Sequence, residues 1–340
     1  MPPFLRAGYN ERDKEVRMRK PAFPLVLAAV LACIPVSPTL AQQWPEKTVR
    51  MLVPFPPGGG TDIQARLLST AFQRSTGQNF IIDNRTGASG LIATQLAADA
   101  APDGNTILFT SGSISVIVTL YAKQMKFNVL TDLAPVSWIS STPLVLSIHP
   151  SIPAKSVKEL VSLAKARPGA LIAGGNSAGS TAHLTAEMFN QVTGLKTTVL
   201  TYRGGGPAVI ALISGEIGYI FATAPSIMPH LNSGKAKALA VTTPKRSSAF
   251  PELPTMNTIY PGFESDNWYA MFFPKGTPRP IIDKLNAEIR KALETPEVKA
   301  FMPREALDPV LSSPEELGAL LKREIDKYAK VIRFANIRVD

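Results

Sequence analysis

Residues 49–72 read VRMLVPFPPGGGTDIQARLLSTAF, and their order decides the class of fold. Val49 to Phe55 is a short, mostly apolar run that predicts a strand. Three glycines follow. Beyond them Ile63, Leu67, Leu68 and Phe72 recur at helical spacing, predicting a helix with these residues on one face that stops near Gly77. The alternation continues outward through strand candidates at Phe80–Asp83, Thr106–Thr110, Leu144–Ile148, Leu171–Ala173, Thr198–Tyr202, Ile217–Phe221, Ala238–Thr242 and Tyr269–Phe273. Strands separated by helical periods predict an α/β fold of mostly parallel sheets flanked by helices. Several helix starts are explicit. Ser156-Val157-Lys158-Glu159 is a capping box closed at Pro168-Gly169, and Ser313-Pro314-Glu315-Glu316 repeats it before an amphipathic run through Leu317, Leu320, Leu321, Ile325, Tyr328 and Ile332. Thr277-Pro278 opens another helix, with Ile281, Ile282, Leu285, Ile289 and Leu293 inward.

The chain has 340 residues, 45% hydrophobic and 18% charged, enough to bury a substantial core. Its 36 Lys and Arg exceed its 26 Asp and Glu, for a formal charge of +10, but the basic residues are scattered and no aromatic-basic interleaving points to nucleic acid. An overall positive field instead favours encounter with small anions. One cysteine and three histidines argue against a zinc site, a disulfide framework or a cysteine-dependent enzyme, so neither metal nor cofactor is expected. Residues 1–41 carry a basic start at Met18-Arg19-Lys20, an apolar stretch from Phe23 to Ile34 and small residues up to Ala41, which predicts a secretory signal cleaved after Ala41. The charged, patternless residues 1–17 make Met18 a second candidate start, and Val30-Leu31-Ala32-Cys33 faintly matches a lipoprotein box, with Leu31 atypical. Cleavage at Ala41 leaves no cysteine, which suits an oxidising periplasm.

A strand ending in a glycine loop that runs into a helix occurs twice, at Pro56-Pro57-Gly58-Gly59-Gly60-Thr61-Asp62 and at Tyr202-Arg203-Gly204-Gly205-Gly206-Pro207. Glycine admits positive φ and close approach of a ligand to the backbone. A helix N-terminus adds unpaired N–H donors and a partial positive charge, so each loop is a candidate anion site. Pro57 would stiffen the first loop and Pro207 would set the start of the second helix. Any one triple glycine reads first as a tight turn, and Gly58-Gly59-Gly60-Thr61 lacks the ending of a P-loop and does not match the dinucleotide fingerprint. The pair, in different halves of the chain, reads as two jaws. Ser111 and Ser113, and the run from Ser177 through Thr181 to His183, supply polar groups at further strand ends, where open α/β sheets bind ligands. Capping is an equal reading for Thr181 and its neighbour Ser180. His149, His183 and His230 have no adjacent nucleophile or acid, and no catalytic elbow or acid pair is present.

With these residues in view, the chain resembles the tripartite tricarboxylate transporter substrate-binding family, the Bug-type receptors. The resemblance rests on Trp44-Pro45, Val53 to Asp62, Asp83-Asn84-Arg85-Thr86-Gly87-Ala88-Ser89-Gly90, Ala101-Pro102-Asp103-Gly104, Gly179 to Leu184, Tyr202 to Ala208, Ala238 to Thr242, Pro261-Gly262-Phe263-Glu264 and Leu285-Asn286. It implies a two-domain, type II periplasmic binding protein crossed twice by the chain, near Thr142-Pro143 and Asp266-Asn267. Domain 1 would then comprise 42–142 plus 267–340, and domain 2 would be 143–266. The resemblance further implies that the two glycine loops hold a ligand carboxylate through backbone N–H groups and bridging waters. Delivery to membrane permease subunits or to a sensor protein is implied with it. Ala222 and Thr223 stand where the family commonly shows an acid and Asn, and Arg203 where Lys is more usual. Without that acid a ligand ammonium loses a partner, which favours di- or tricarboxylates or aromatic acids over amino acids. The function expected is therefore a non-enzymatic carboxylate receptor, and the alternative is a secreted hydrolase or transferase using the same cleft.

Overall fold

The computed structural model describes residues 44–202 and 204–338; the expected signal segment, its cleavage point, Cys33 and Arg203 lie outside the described residues. The chain opens with β1 (Val49–Val53), α1 (Gly60–Thr76), β2 (Phe80–Asn84), α2 (Leu91–Ala98), β3 (Thr106–Ser111) and α3 (Ser113–Leu120). β1 lies between β2 and β3, parallel to both. Its two faces are both covered: Met51 and Val53 pack with Phe72 and Phe80, and Leu52 packs with Leu108 and Ile114. Burial on both sides is why the strand is apolar nearly throughout.

β4 (Leu133–Ile148) is 16 residues long, and only its second half was legible as a strand. Pro135, Pro143 and Ser137, Ser140 and Ser141 interrupt the apolar pattern in the first half. That half runs antiparallel to β9 (Asp266–Pro274) until Pro143 stands opposite Asp266. From Leu144 onward β4 pairs instead with β7 (Tyr219–Thr223) and β8 (Lys237–Val241), both antiparallel. β5 (Ala173–Gly175) joins β6 (Val199–Thr201) and β7 in parallel. The order β2-β1-β3-β9-β4-β7-β5-β6 is thus two parallel blocks joined by two long antiparallel strands, a mixed arrangement that hydrophobic alternation alone did not announce.

Around the second sheet lie α4 (Val157–Ala166), α5 (Thr181–Thr193), α6 (Gly205–Ser214), α7 (Ala224–Asn232) and the short α8 (Met256–Ile259). The chain then returns through α9 (Arg279–Leu293), α10 (Pro296–Arg304), β10 (Asp308–Pro309) and α11 (Pro314–Phe334). Two expectations shift in detail. Ile63 is 41% exposed, because α1 turns Gln64, Ala65, Leu68 and Phe72 inward. Ser156 accepts the Glu159 amide as expected, but the Glu159 carboxylate takes the amide of Lys155, so that box is displaced by one residue. At Ser313 both limbs of the box are present. α11 is shared between sheets: Leu317, Leu320 and Leu321 join the first core, whereas Tyr328, Val331 and Ile332 join the second.

Candidate functional site

The first glycine loop is held from within. Gly58 has φ +80°, and its amide donates to Asp62 Oδ2 at 2.9 Å. Asn84 Nδ2 bridges Asp62 Oδ1 (3.0 Å) and the Phe55 carbonyl (2.8 Å), and Arg66 closes on both carboxylate oxygens. Burial would raise the Asp62 pKa, yet the hydrogen bonds from Arg66, the Gly58 amide and Asn84 hold it below the ordinary carboxylate value. Asp62 is therefore a charged brace beneath the loop, with its oxygens occupied by protein donors. Exposed Pro57 precedes it. The amides of Gly60, Thr61 and Asp62 form the first turn of α1, where no intrahelical acceptor exists, and the N-cap Gly59 has no side chain to provide one. Elsewhere Ser180 and Ser313 fill that role at α5 and α11.

The loop rests on the crossing strands. A Cβ on Gly60 would lie 3.3 Å from the Tyr269 hydroxyl, which accepts from Asn267 Nδ2 at 2.8 Å. Ser140 Oγ donates to Gln64 Oε1 at 2.9 Å. Nearby, α2 and α3 also begin at glycines, Gly90 and Gly112. A Cβ on Gly90 would stand 3.1 Å from Pro54 and 3.7 Å from Ser113 Oγ, so the carboxyl ends of β1 and β3 meet the start of α2 here. Ser111 and Ser113 are buried at this point, their hydroxyls 3.2 Å apart.

In the second loop the Tyr202 amide donates to the carbonyls of Asn176 (2.5 Å) and Gly175 (3.2 Å). Its hydroxyl donates to Glu216, and burial with that carboxylate pushes the phenol up to about 12. Gly204, at φ +117°, is the N-cap of α6 and again lacks a capping side chain, leaving Gly205, Gly206 and the exposed Pro207 as the first turn. A Cβ on Gly205 would come within 3.6 Å of the Asn176 side chain, whose buried Oδ1 has no partner among the described residues. Ser177 is exposed, while Thr181 is the buried first residue of α5. His183 is buried too. Its Nδ1 accepts the Gly179 amide at 3.0 Å, and burial lowers its pKa to about 4, so a neutral ring braces the Asn176–Ser180 turn. That turn packs against α3, since a Cβ on Gly179 would press on the Leu120 side chain. Ala222 is enclosed in the apolar cluster with Val145 and Ile220, and the Thr223 hydroxyl pairs with Ser226 at 3.0 Å.

Asn84, Gln64, Asn176, Asn267 and Tyr269 shape these loops and were not read as site residues. Asn84 stood in a quoted motif, but its bond to Asp62 spans 22 residues. Of the histidines, His149 Nδ1 pairs with the hydroxyl of its near neighbour Ser151 at 2.7 Å. Both glycine loops end in helix N-termini without capping side chains, and Asp62, the carboxylate inside the first, is charged and paired with protein donors. The arrangement offers N–H donors to an anion.

A profile of the tripartite tricarboxylate transporter family receptors matches residues 64–337. Protein BugT of Bordetella pertussis is 38% identical over 299 residues, 87% of this chain and 92% of that one. An R. palustris structure with adipate has a TM-score of 0.75 at 34% identity, covering 87% of this chain and 99% of the other. MatC from Rhodopseudomonas palustris with bound malate has a TM-score of 0.72 at 30% identity, covering 85% of this chain and all of the other.

Proposed function

The chain belongs to the tripartite tricarboxylate transporter receptor family, non-enzymatic periplasmic solute-binding proteins, and from that premise we propose that it captures a small organic carboxylate between its two lobes. The observation that carries the reading is the pair of glycine N-caps, Gly59 and Gly204, which leave the first-turn amides of α1 and α6 without capping side chains. Each charge-assisted hydrogen bond to such an amide contributes about 1.5–3 kcal/mol, and the helix terminus about 0.3–1 kcal/mol more. The ligand contacts proposed are backbone amides of the two loops, with Ser111, Ser113 and Asn176 facing the remainder of the solute. Lobe boundaries at Pro143 and Asp266 follow the change of strand partners there.

The ligand class proposed is a di- or tricarboxylate or an aromatic acid rather than an amino acid, since Ala222 lies in the core and Asp62 is already paired. Relatives solved with adipate and with malate support that class. The solute would pass to tripartite tricarboxylate membrane subunits, and a sensor is the alternative recipient. Export after cleavage at Ala41 belongs to the same proposal. Titration calorimetry and thermal shift with adipate, malate, citrate, benzoate, aspartate and glutamate provide the test. A ligand at 100 times its Kd should add about 2.7 kcal/mol to apparent stability. Tight binding of aspartate or glutamate with none of the plain acids would refute the ligand class.

A further inference from the structure

A second feature lies away from the glycine loops, in a groove of about 600 Å³ between α5 and α11. Its apolar floor is Met188, Val192 and Val331; Met188 and Val331 are buried, but Val192 is 46% exposed. Along its rim Lys322, Arg323 and Lys330 project from one face of α11, exposed and without a hydrogen-bond or ion-pair partner among the described residues. This is unlike α9, where Lys284 and Lys291 both pair with Glu288. Lys327, deeper in the groove, is already committed to Glu324 and to the Glu264 carbonyl. Asp326 is the single acid lining it. Three unpaired cations beside the exposed Val192 match a partner that supplies carboxylates along one edge and an aliphatic side chain against that residue.

We propose that this groove is a docking surface for an acidic amphipathic segment of a partner protein. Its aliphatic side would lie over the exposed Val192, and its carboxylates would reach Lys322, Arg323 and Lys330. Ala319 to Val331 spans ~18 Å at ~1.5 Å per residue, room for about three turns of a partner helix. Because α11 packs into both cores, the segment would sit on the helix that the two lobes share.

The test uses the receptor purified from periplasm and a fluorescent helical peptide with Leu on one face and Glu on the rest, against the same peptide with Lys for Glu. The acidic peptide should bind and the basic one should not, and K322E/R323E/K330E should weaken binding at least ~10-fold, about 1.4 kcal/mol. A control reversal elsewhere, K47E/K235E/K245E, should weaken it by less than ~2-fold at about 150 mM salt, where exposed charges beyond about 8 Å are screened. Unchanged melting and unchanged carboxylate binding in both triple variants would show that fold and glycine loops are intact. Equal binding of the two peptides, no binding of either, or equal loss in the control reversal would overturn the proposal. So would a concentration-dependent dimer that K322E/R323E/K330E abolishes, since the occupant would then be a second copy.

Discussion

At Gly59 the backbone sits at φ −78°, ψ 162°, the conformation in which serine caps helices well. Nothing in the fold demands glycine there, since an added Cβ would meet only the Pro56 carbonyl at 3.4 Å. Gly58 and Gly204 differ, with φ of +80° and +117° that side-chain-bearing residues adopt at a cost of about 1–3 kcal/mol. A glycine at the N-cap position keeps the first-turn amides free for a guest. Gly59→Ser should therefore raise stability slightly, by roughly a few tenths of a kcal/mol, while lowering carboxylate affinity, because the hydroxyl occupies an amide the anion would take. Thermal melts and calorimetry on the same variant check both directions. Stability and affinity rising together would show that the α1 amides do not hold the ligand.

The turn from Asn176 to Ser180 is an element braced by a titratable ring. His183 has a folded pKa of about 4 against about 6.5 in a free chain. Between those values the unfolded state holds the proton and the folded state does not, so stability falls as pH drops from 6.5 towards 4. This group alone accounts for about 1.4 kcal/mol per unit across that window, up to about 3 kcal/mol. Above pH 6.5 it contributes no slope. His183→Asn, which keeps an acceptor for the Gly179 amide but cannot titrate, should flatten that part of a denaturant-stability profile. An identical slope in the variant would place the acid sensitivity elsewhere. Capping at this element was readable from Ser180, because a cap depends on residues three apart, whereas Thr181 is the first helical residue and caps nothing. The bond from Gly179 to a buried ring nitrogen depended on how deeply α5 is seated.

Where the two sheets exchange β4, the half-buried Asp266 stands opposite Pro143, and desolvation pushes its pKa up to about 6, with Lys327 opposing and Glu324 adding to the rise. A raised carboxyl pKa means the folded state holds the proton longer, so this group costs stability as pH rises from about 4 to 6 and at its full value beyond. Asp266→Asn should stabilise the protein at pH 7.5 by up to about 3 kcal/mol and leave it unchanged near pH 4. Melting curves at both values decide this, and a loss at pH 7.5 would mean that attraction to Lys327 outweighs burial. At this scale the sequence by itself determined the α/β class, the strand–glycine–helix units and the inward faces of α9 and α11, because periodicity and caps act between residues a few positions apart. The family motifs were legible for the same reason, being short and local. Only the tertiary structure decided that Asp62 is bridged by Asn84, that Gly60 abuts Tyr269, that Ala222 is sealed in a core, and that α11 serves both cores. Those outcomes depend on burial and on contacts between distant parts of the chain, which local pattern does not encode.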